Sequence, residues 1–561
     1  MLQKQSTYIL SLFLLFIPTL KAQDLYLDYS IIDSSTTKEI KEKLKVKKFK
    51  NLNSLVEHTE KTIIQLQKVG YLEANKKEIS KKNDSTFSCP IYIGSKTNVT
   101  KINIGQKKWP NEILKEIGTS KSNAIELSFE QLESKLEQIK ETWKNHGYSF
   151  SEVQLLNIRK SNDTLFADIS IYKNDLRKID SLTIKGYDNF PKKILLHKYG
   201  LKPNKKLNQD KIKKASIDME AMGIAKETKA PEILFEKNKS TVFLYLEKIN
   251  NNYFDGIIGF ASNEETGKLE FNGNIDLTLH NNLNQGEKLS LNYRADGNSQ
   301  QELKINANAP YFANTPITPS GGIHIYKKDS TYTNTNLNIK LNYDIGNWSY
   351  YAGFEQHKST NLLQEVNHTN NITSLNGHFY ITGINHLIYQ NDILNPIKSY
   401  LDIQIGIGKR DTDMQSELQY KSEIEAYKNF IIIKNHSLFS KINYMKLWSK
   451  DYYSNELYRI GGTDNIRGFN ENSIDASSTY SIQTEYRYKL SQEIYIHTIT
   501  DLGRIENKAE NIKENLIGLG FGIGIYNKLG LMKVQIANGS TSHEKIDFDK
   551  TRIHISIHTK F

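Results

Sequence analysis

Few residues in this sequence are spaced for chemistry. His554 and His558 share one parity of a closing alternating segment. Four residues along a strand is roughly 13 Å, too far for one metal ion, and no third ligand accompanies them. Metal and cofactor binding are therefore not expected. The single cysteine, Cys89, rules out a disulfide framework or a Cys-rich zinc site. It falls on the apolar parity of a strand and reads as a small buried hydrophobe. No Gly-x-Ser-x-Gly nucleophile turn and no GxxxxGK[ST] phosphate loop occurs. The chain is not expected to be an enzyme. What stands out instead is a glycine-rich segment around one arginine, Gly461-Gly462-Thr463-Asp464-Asn465-Ile466-Arg467-Gly468-Phe469, with Glu485 and Asp501 on the alternating segments that follow.

The elements that must position these residues are legible. At 561 residues with 38% apolar side chains the chain should hold several domains. Its mean hydropathy of −0.56 excludes a helical membrane bundle. Residues 1–22 read as a secretory signal: Lys4 is the positive start, Tyr8 to Leu20 the apolar run and Ala22 the small residue at the cleavage point. Residues 23–249 carry 42 Lys+Arg against 30 Asp+Glu, whereas 250–561 carry 30 against 33. The basic excess lies wholly in the first part. For an exported chain it suggests a solvated face, or one turned to anionic lipid or acidic clients, and not nucleic acid.

Three helix ends recur in that basic part: Lys68-Val69-Gly70-Tyr71, Asn145-His146-Gly147-Tyr148 and Ala221-Met222-Gly223-Ile224. Each precedes a polar turn and a strand of period two. Phe87, Cys89, Ile91 and Ile93 share one parity. So do Leu165, Ala167, Ile169 and Ile171, and then Val242, Leu244 and Leu246. Ser128 and Gln131 fit a capping box ahead of the apolar stripe Phe129, Leu132, Leu136, Ile139 and Trp143. Gly147 fits the left-handed stop. The repeat unit reads as strand, two helices, strand, strand, with modules at 24–97, 98–176 and 177–249. Their open sheet edges suit capture of client strands.

From Tyr253 onward about sixteen alternating segments follow, the length and even number expected of a transmembrane barrel spanning 250–561. In one of them Ile517, Leu519, Phe521, Ile523 and Ile525 alternate with Gly518, Gly520, Gly522 and Gly524. The glycine row predicts an empty groove on the lumen side, where another piece of backbone could lie against the wall. The last strand, Thr551–Phe561, ends on an aromatic residue.

The segment Arg459–Phe469 resembles the signature of the outer-membrane protein assembly-factor superfamily, which includes BamA, TamA and two-partner-secretion transporters such as FhaC. Ser481–Tyr488, Ile499–Gly503, Leu516–Tyr526 and the turn Ala309-Pro310-Tyr311-Phe312 are similar to its other conserved strands and turns. Ile466 stands where valine is usual, and Ser399 where a glycine is common. The resemblance implies α+β tandem POTRA modules in the periplasm followed by an all-β barrel of about 16 antiparallel strands in the cell outer membrane. It implies that the loop of Gly461, Gly462, Arg467, Gly468 and Phe469 docks in the lumen. Arg467 would meet Glu485 and Asp501, while Gly520 or Gly522 would give the tip room. It also implies a lateral seam between the first and last strands, marked by Gly256, Gly259, Ile557 and Phe561. The expected partners are unfolded outer-membrane protein clients, outer-membrane lipids and periplasmic or lipoprotein accessory subunits. The leading expectation is an insertase; the alternatives are a two-partner secretion pore, a lipase fusion and a passive porin.

Overall fold

A computed structural model describes residues 24–559 except 34–39, 41, 43, 106–108, 119–122, 263–268, 296–299, 364–370, 528–529, 545–546, 548 and 550; for 257–262, 269–272 and 557–559 it describes the backbone alone. The expected signal at 1–22 and the terminal Phe561 lie outside the described residues. The chain forms two compact units that divide between Arg177 and Lys178.

The first unit contains two α+β modules. In the first, strand Leu25–Ile31 runs parallel to Thr86–Tyr92, and helix α1 (Leu52–Lys68) packs over them. Asn51 caps α1 by accepting the Ser54 amide at 2.8 Å, and Gly70 ends it with φ +106°. Leu55, Leu66, Cys89, Ile91 and Ile93 form its core. Burial raises the Cys89 thiol above its ordinary pKa, so the thiol stays protonated and inert. In the second module, helices α2 (Asn111–Glu116) and α3 (Leu132–Asn145) cover a four-stranded sheet. Leu132, Ile139 and Trp143 are buried, with Phe129 and Leu136 packed against them.

The expected capping box does not form. Ser128 ends strand Ala124–Ser128, where it pairs with Val99, and the Phe129 amide donates to the Asn98 carbonyl at 2.9 Å. The sheet has claimed the residue that the helix would have used. A single 3₁₀ turn follows, and α3 starts at Leu132 with no side-chain cap. The strand that ends at Ser128 is also an addition to the expected element order.

The second unit opens with a module of that order: Ser181–Lys185, α4 (Lys192–Lys198), α5 (Gln209–Ala221), Ala225–Phe235 and Ser240–Lys248. Val242, Leu244 and Leu246 are fully buried in its core, each stabilising it by about 1.5–3 kcal/mol. A barrel residue shares that core: Tyr311, from the turn between the fourth and fifth barrel strands, is 5% exposed within it. His197 stacks on the Tyr311 ring at 5.2 Å, and its Nε2 lies 2.9 Å from the Asn314 carbonyl oxygen. Tyr187 donates to Asn284 Oδ1 at 2.6 Å, in the turn between the second and third strands. The third module is thus keyed into two turns at one end of the barrel, the module end.

The barrel is one antiparallel sheet of sixteen strands, in sequence order from Tyr253–Ser262 to Arg552–Thr559. Side chains alternate. On the ninth strand (Ile397–Thr412), Gln404 and Arg410 are buried while Ile405 and Ile407 are exposed. The exposed apolar row is what a bilayer would cover. The first and last strands approach each other, and among the described residues no ladder joins them.

Candidate functional site

Between the eleventh strand (His436–Trp448) and the twelfth (Ser478–Lys489), residues 449–477 fold back into the lumen. A short ladder, Tyr458–Ile460 against Ile474–Ala476, forms the stem, and Gly462 and Ile466 bridge across the tip. Arg467 is 2% exposed. Its backbone amide and Nε donate to Asp501 Oδ2 at 2.9 and 2.8 Å, and Nη2 donates to Asp501 Oδ1 at 2.6 Å. Nη1 donates to Glu485. Period two on the twelfth and thirteenth (Ile494–Asn507) strands aims both carboxylates inward.

The network extends one residue further than the sequence reading. Glu485 Oε2 also accepts from Arg487 Nε at 2.7 Å and Nη2 at 2.6 Å. Arg487 lies over the Phe439 ring at 4.3 Å and reaches Asn429 Oδ1 at 3.1 Å. Two guanidinium groups and two carboxylates therefore cancel in a site almost closed to water, which removes the penalty of an unpaired buried charge. Arg487 was legible: it is two residues from Glu485, hence on the same face.

Gly468 takes φ +91°, and a side chain there would strike the backbone of Asn538 and Gly539. The expectation placed Gly520 or Gly522 beneath the tip. That is corrected: Gly518 lies there, where any side chain would collide with the Arg467 carbonyl oxygen, and Gly539 faces the Gly468 carbonyl and the Phe469 ring. At Gly518 the loop backbone lies against the glycine row as expected, but the rest of the row is not an empty groove. In register, Tyr495 opposes Gly524 and His497 opposes Gly522, and each ring folds over its glycine. Gly520 faces the backbone of Ile536 and Ala537. At these three glycines cross-strand neighbours fill the space that the missing side chains leave. Gly461 and Gly462 sit at the start of the tip with φ +109° and +91°.

A second buried arginine holds the root of the loop. Arg410 is fully buried, and its Nη1 meets Glu456 at 2.6 Å and the Asp451 carbonyl at 3.0 Å. Nη2 meets Glu417. Nothing in the sequence near Arg410 marks it, because its partners come from the next strand and from the loop. Arg459 adds a third hold, 3.8 Å above the Tyr326 ring. Around the loop the lumen keeps a polar cavity of about 1630 Å³. Among the described residues no group of three or more His, Cys, Asp or Glu is placed to hold a metal.

At the expected seam, Gly256 and Gly259 pair with Ile275 and Asn272 of the second strand, and Ile557 pairs with Met532 of the fifteenth.

Residues 324–525, the fifth to fourteenth strands with the loop, match the family model described as haemolysin secretion/activation protein ShlB/FhaC/HecB. Over that stretch the chain is similar to these secretion proteins. Its fold is that of CdiB from Acinetobacter baumannii (TM-score 0.50, 15% identity, 80% of this chain and 88% of that one). CdiB from Escherichia coli also aligns (0.47, 13%, 90% and 96%). So does BamA from Haemophilus ducreyi lacking POTRA domains 1–3 (0.45, 15%, 82% and 100%). No curated protein matches.

Proposed function

We propose that this chain inserts barrel proteins into the outer membrane, with its N-terminal modules in the periplasm capturing unfolded clients. The observation that carries this reading is the pair of end strands that approach without a ladder among the described residues. An unsatisfied strand edge recruits a partner strand. Gly256 and Gly259 on the first strand keep that edge weakly held. The motif loop, latched by Arg467, braces the twelfth to fifteenth strands beside the seam while it opens. No catalytic step on a client is proposed; the work comes from the client's own folding. Accessory lipoprotein subunits fit the same reading.

A second reading, a two-partner-type secretion pore for one dedicated soluble protein, is favoured by the family match over 324–525. It requires the loop to leave the lumen. Reconstitution in liposomes separates the two. Faster folding of an unfolded outer-membrane barrel than in empty vesicles or with Arg467→Ala supports insertion. No acceleration, with steady ion conductance, supports the pore. A covalent crosslink between the two end strands should abolish insertion, and full activity of the crosslinked protein would exclude lateral opening.

A further inference from the structure

At the module end, a cleft of about 500 Å³ lies between the start of α4 and two barrel turns. Lys192, Lys193 and Asn189 line it from the module, and Asn284, Gln285 and Asn314 from the turns. Among the described residues lining it, none is acidic. The carboxylate of Glu287, in the same turn, is bent back onto the amides of Leu283 at 2.6 Å and Gln285 at 3.0 Å. The side-chain oxygens of Asn284 and Asn314 lie against Tyr187 and His197. What these two amides still offer the cleft is N–H donors. Burial lowers the pKa of Lys193 and the Glu287 carboxylate offsets this only in part, so a further anion in the cleft would relieve the remaining cost.

Apolar groups accompany the polar ones, Phe190, Pro191, Leu283 and Ala313 in the lining itself. Leu283, at the tip of one turn, is 74% exposed, and Phe312, at the tip of the other, is 61% exposed. The outward rows of the third and fifth barrel strands begin at Leu289 and Ile317, 39% and 40% exposed. The lipid-facing band therefore reaches down to these turns. Cations and amide donors thus lie next to large exposed apolar side chains, the combination found at a membrane surface.

We propose that this cleft holds the phosphate headgroup of an anionic phospholipid, with Lys192 and Lys193 on the phosphate and Leu283 and Phe312 among its acyl chains. The site rests on the barrel lying in a bilayer and not on which polypeptide it handles. A bound lipid would join the third module to the barrel rim beside the first strands.

The test uses the full chain in detergent, titrated with phosphatidylglycerol or phosphatidylcholine, with retained lipid counted by native mass spectrometry and no client present. The expected result is preferential retention of phosphatidylglycerol. Retention should drop by roughly an order of magnitude in Lys192→Gln/Lys193→Gln, as for two basic groups at an anionic surface. It should also drop in Leu283→Gln/Phe312→Gln. Unchanged retention in the lysine variant, with barrel heat-stability intact, overturns the site. Displacement by free glycerol phosphate at the same concentrations as the lipid overturns the lipid assignment in favour of a soluble phosphate. Because insertion is not measured, a failed insertase assay and a failed lipid assay remain separate results.

Discussion

In the first two modules Lys68 meets Glu133 at 3.0 Å with side chains 58% and 77% exposed; in the barrel Arg467 meets Asp501 at 2.6 Å with 2% and 0% exposed. The two regions also choose different cations. Residues 23–249 hold two arginines, Arg159 and Arg177, among their 42 basic residues, whereas 250–561 hold seven among 30. Three of those seven, Arg410, Arg467 and Arg487, are buried against carboxylates. In the Lys68 pair water solvates the lysine. The planar fork of arginine serves where two carboxylate oxygens must be met at once without water. Composition alone, an excess of lysine, conceals this division of labour.

The comparison can be broken from either side. The largest effect is expected for Asp501→Ala, which strips the Arg467 backbone amide, Nε and Nη2 of their acceptor. About 3–5 kcal/mol of barrel stability should be lost, read as a lower temperature of heat-modified migration on gels. An unchanged temperature would mean that the latch carries no stability. Gly518→Val comes next. It leaves every charge in place but pushes the Arg467 carbonyl away, so the tip should become accessible to added protease while the sheet persists. Arg410→Lys is smaller. One ammonium cannot hold Glu417, Glu456 and the Asp451 carbonyl together. Cleavage should rise at the loop root, near 449–457, and not at the tip. The smallest effect is Lys68→Ala. An exposed pair contributes about 0–1 kcal/mol, and the melting of the first two modules should not move measurably. A large shift there would erase the contrast between the regions.

What was legible in the sequence follows the same line. Local periodicity exposed the three glycine stops, the apolar parity of Cys89, Ile91 and Ile93, and the inward aim of Glu485 and Asp501, because each depends on neighbours within a few residues. The misreadings came from partners far along the chain. Ser128 fits a helix cap by its neighbours, yet Val99 pairs with it in a sheet. Gly522 and Gly524 look vacant until His497 and Tyr495 are placed across from them. Arg410 is unremarkable until residues 451–456 fold back over it. Pairing across strands is a property of register, and one chain's alternation does not state its register.

Tyr311 has a consequence for the order of events during biogenesis. The third module closes its core on a side chain that lies more than 60 positions beyond its own last strand, in a turn that exists only once the fourth and fifth barrel strands have met. A newly made chain therefore carries a module with one wall missing until the sheet begins to assemble. Closure of that wall couples maturation of the module to maturation of the barrel. A fragment ending at residue 249 should accordingly exchange its Val242, Leu244 and Leu246 amides faster than the full chain does. Equal protection in both would show that the module completes itself without the barrel.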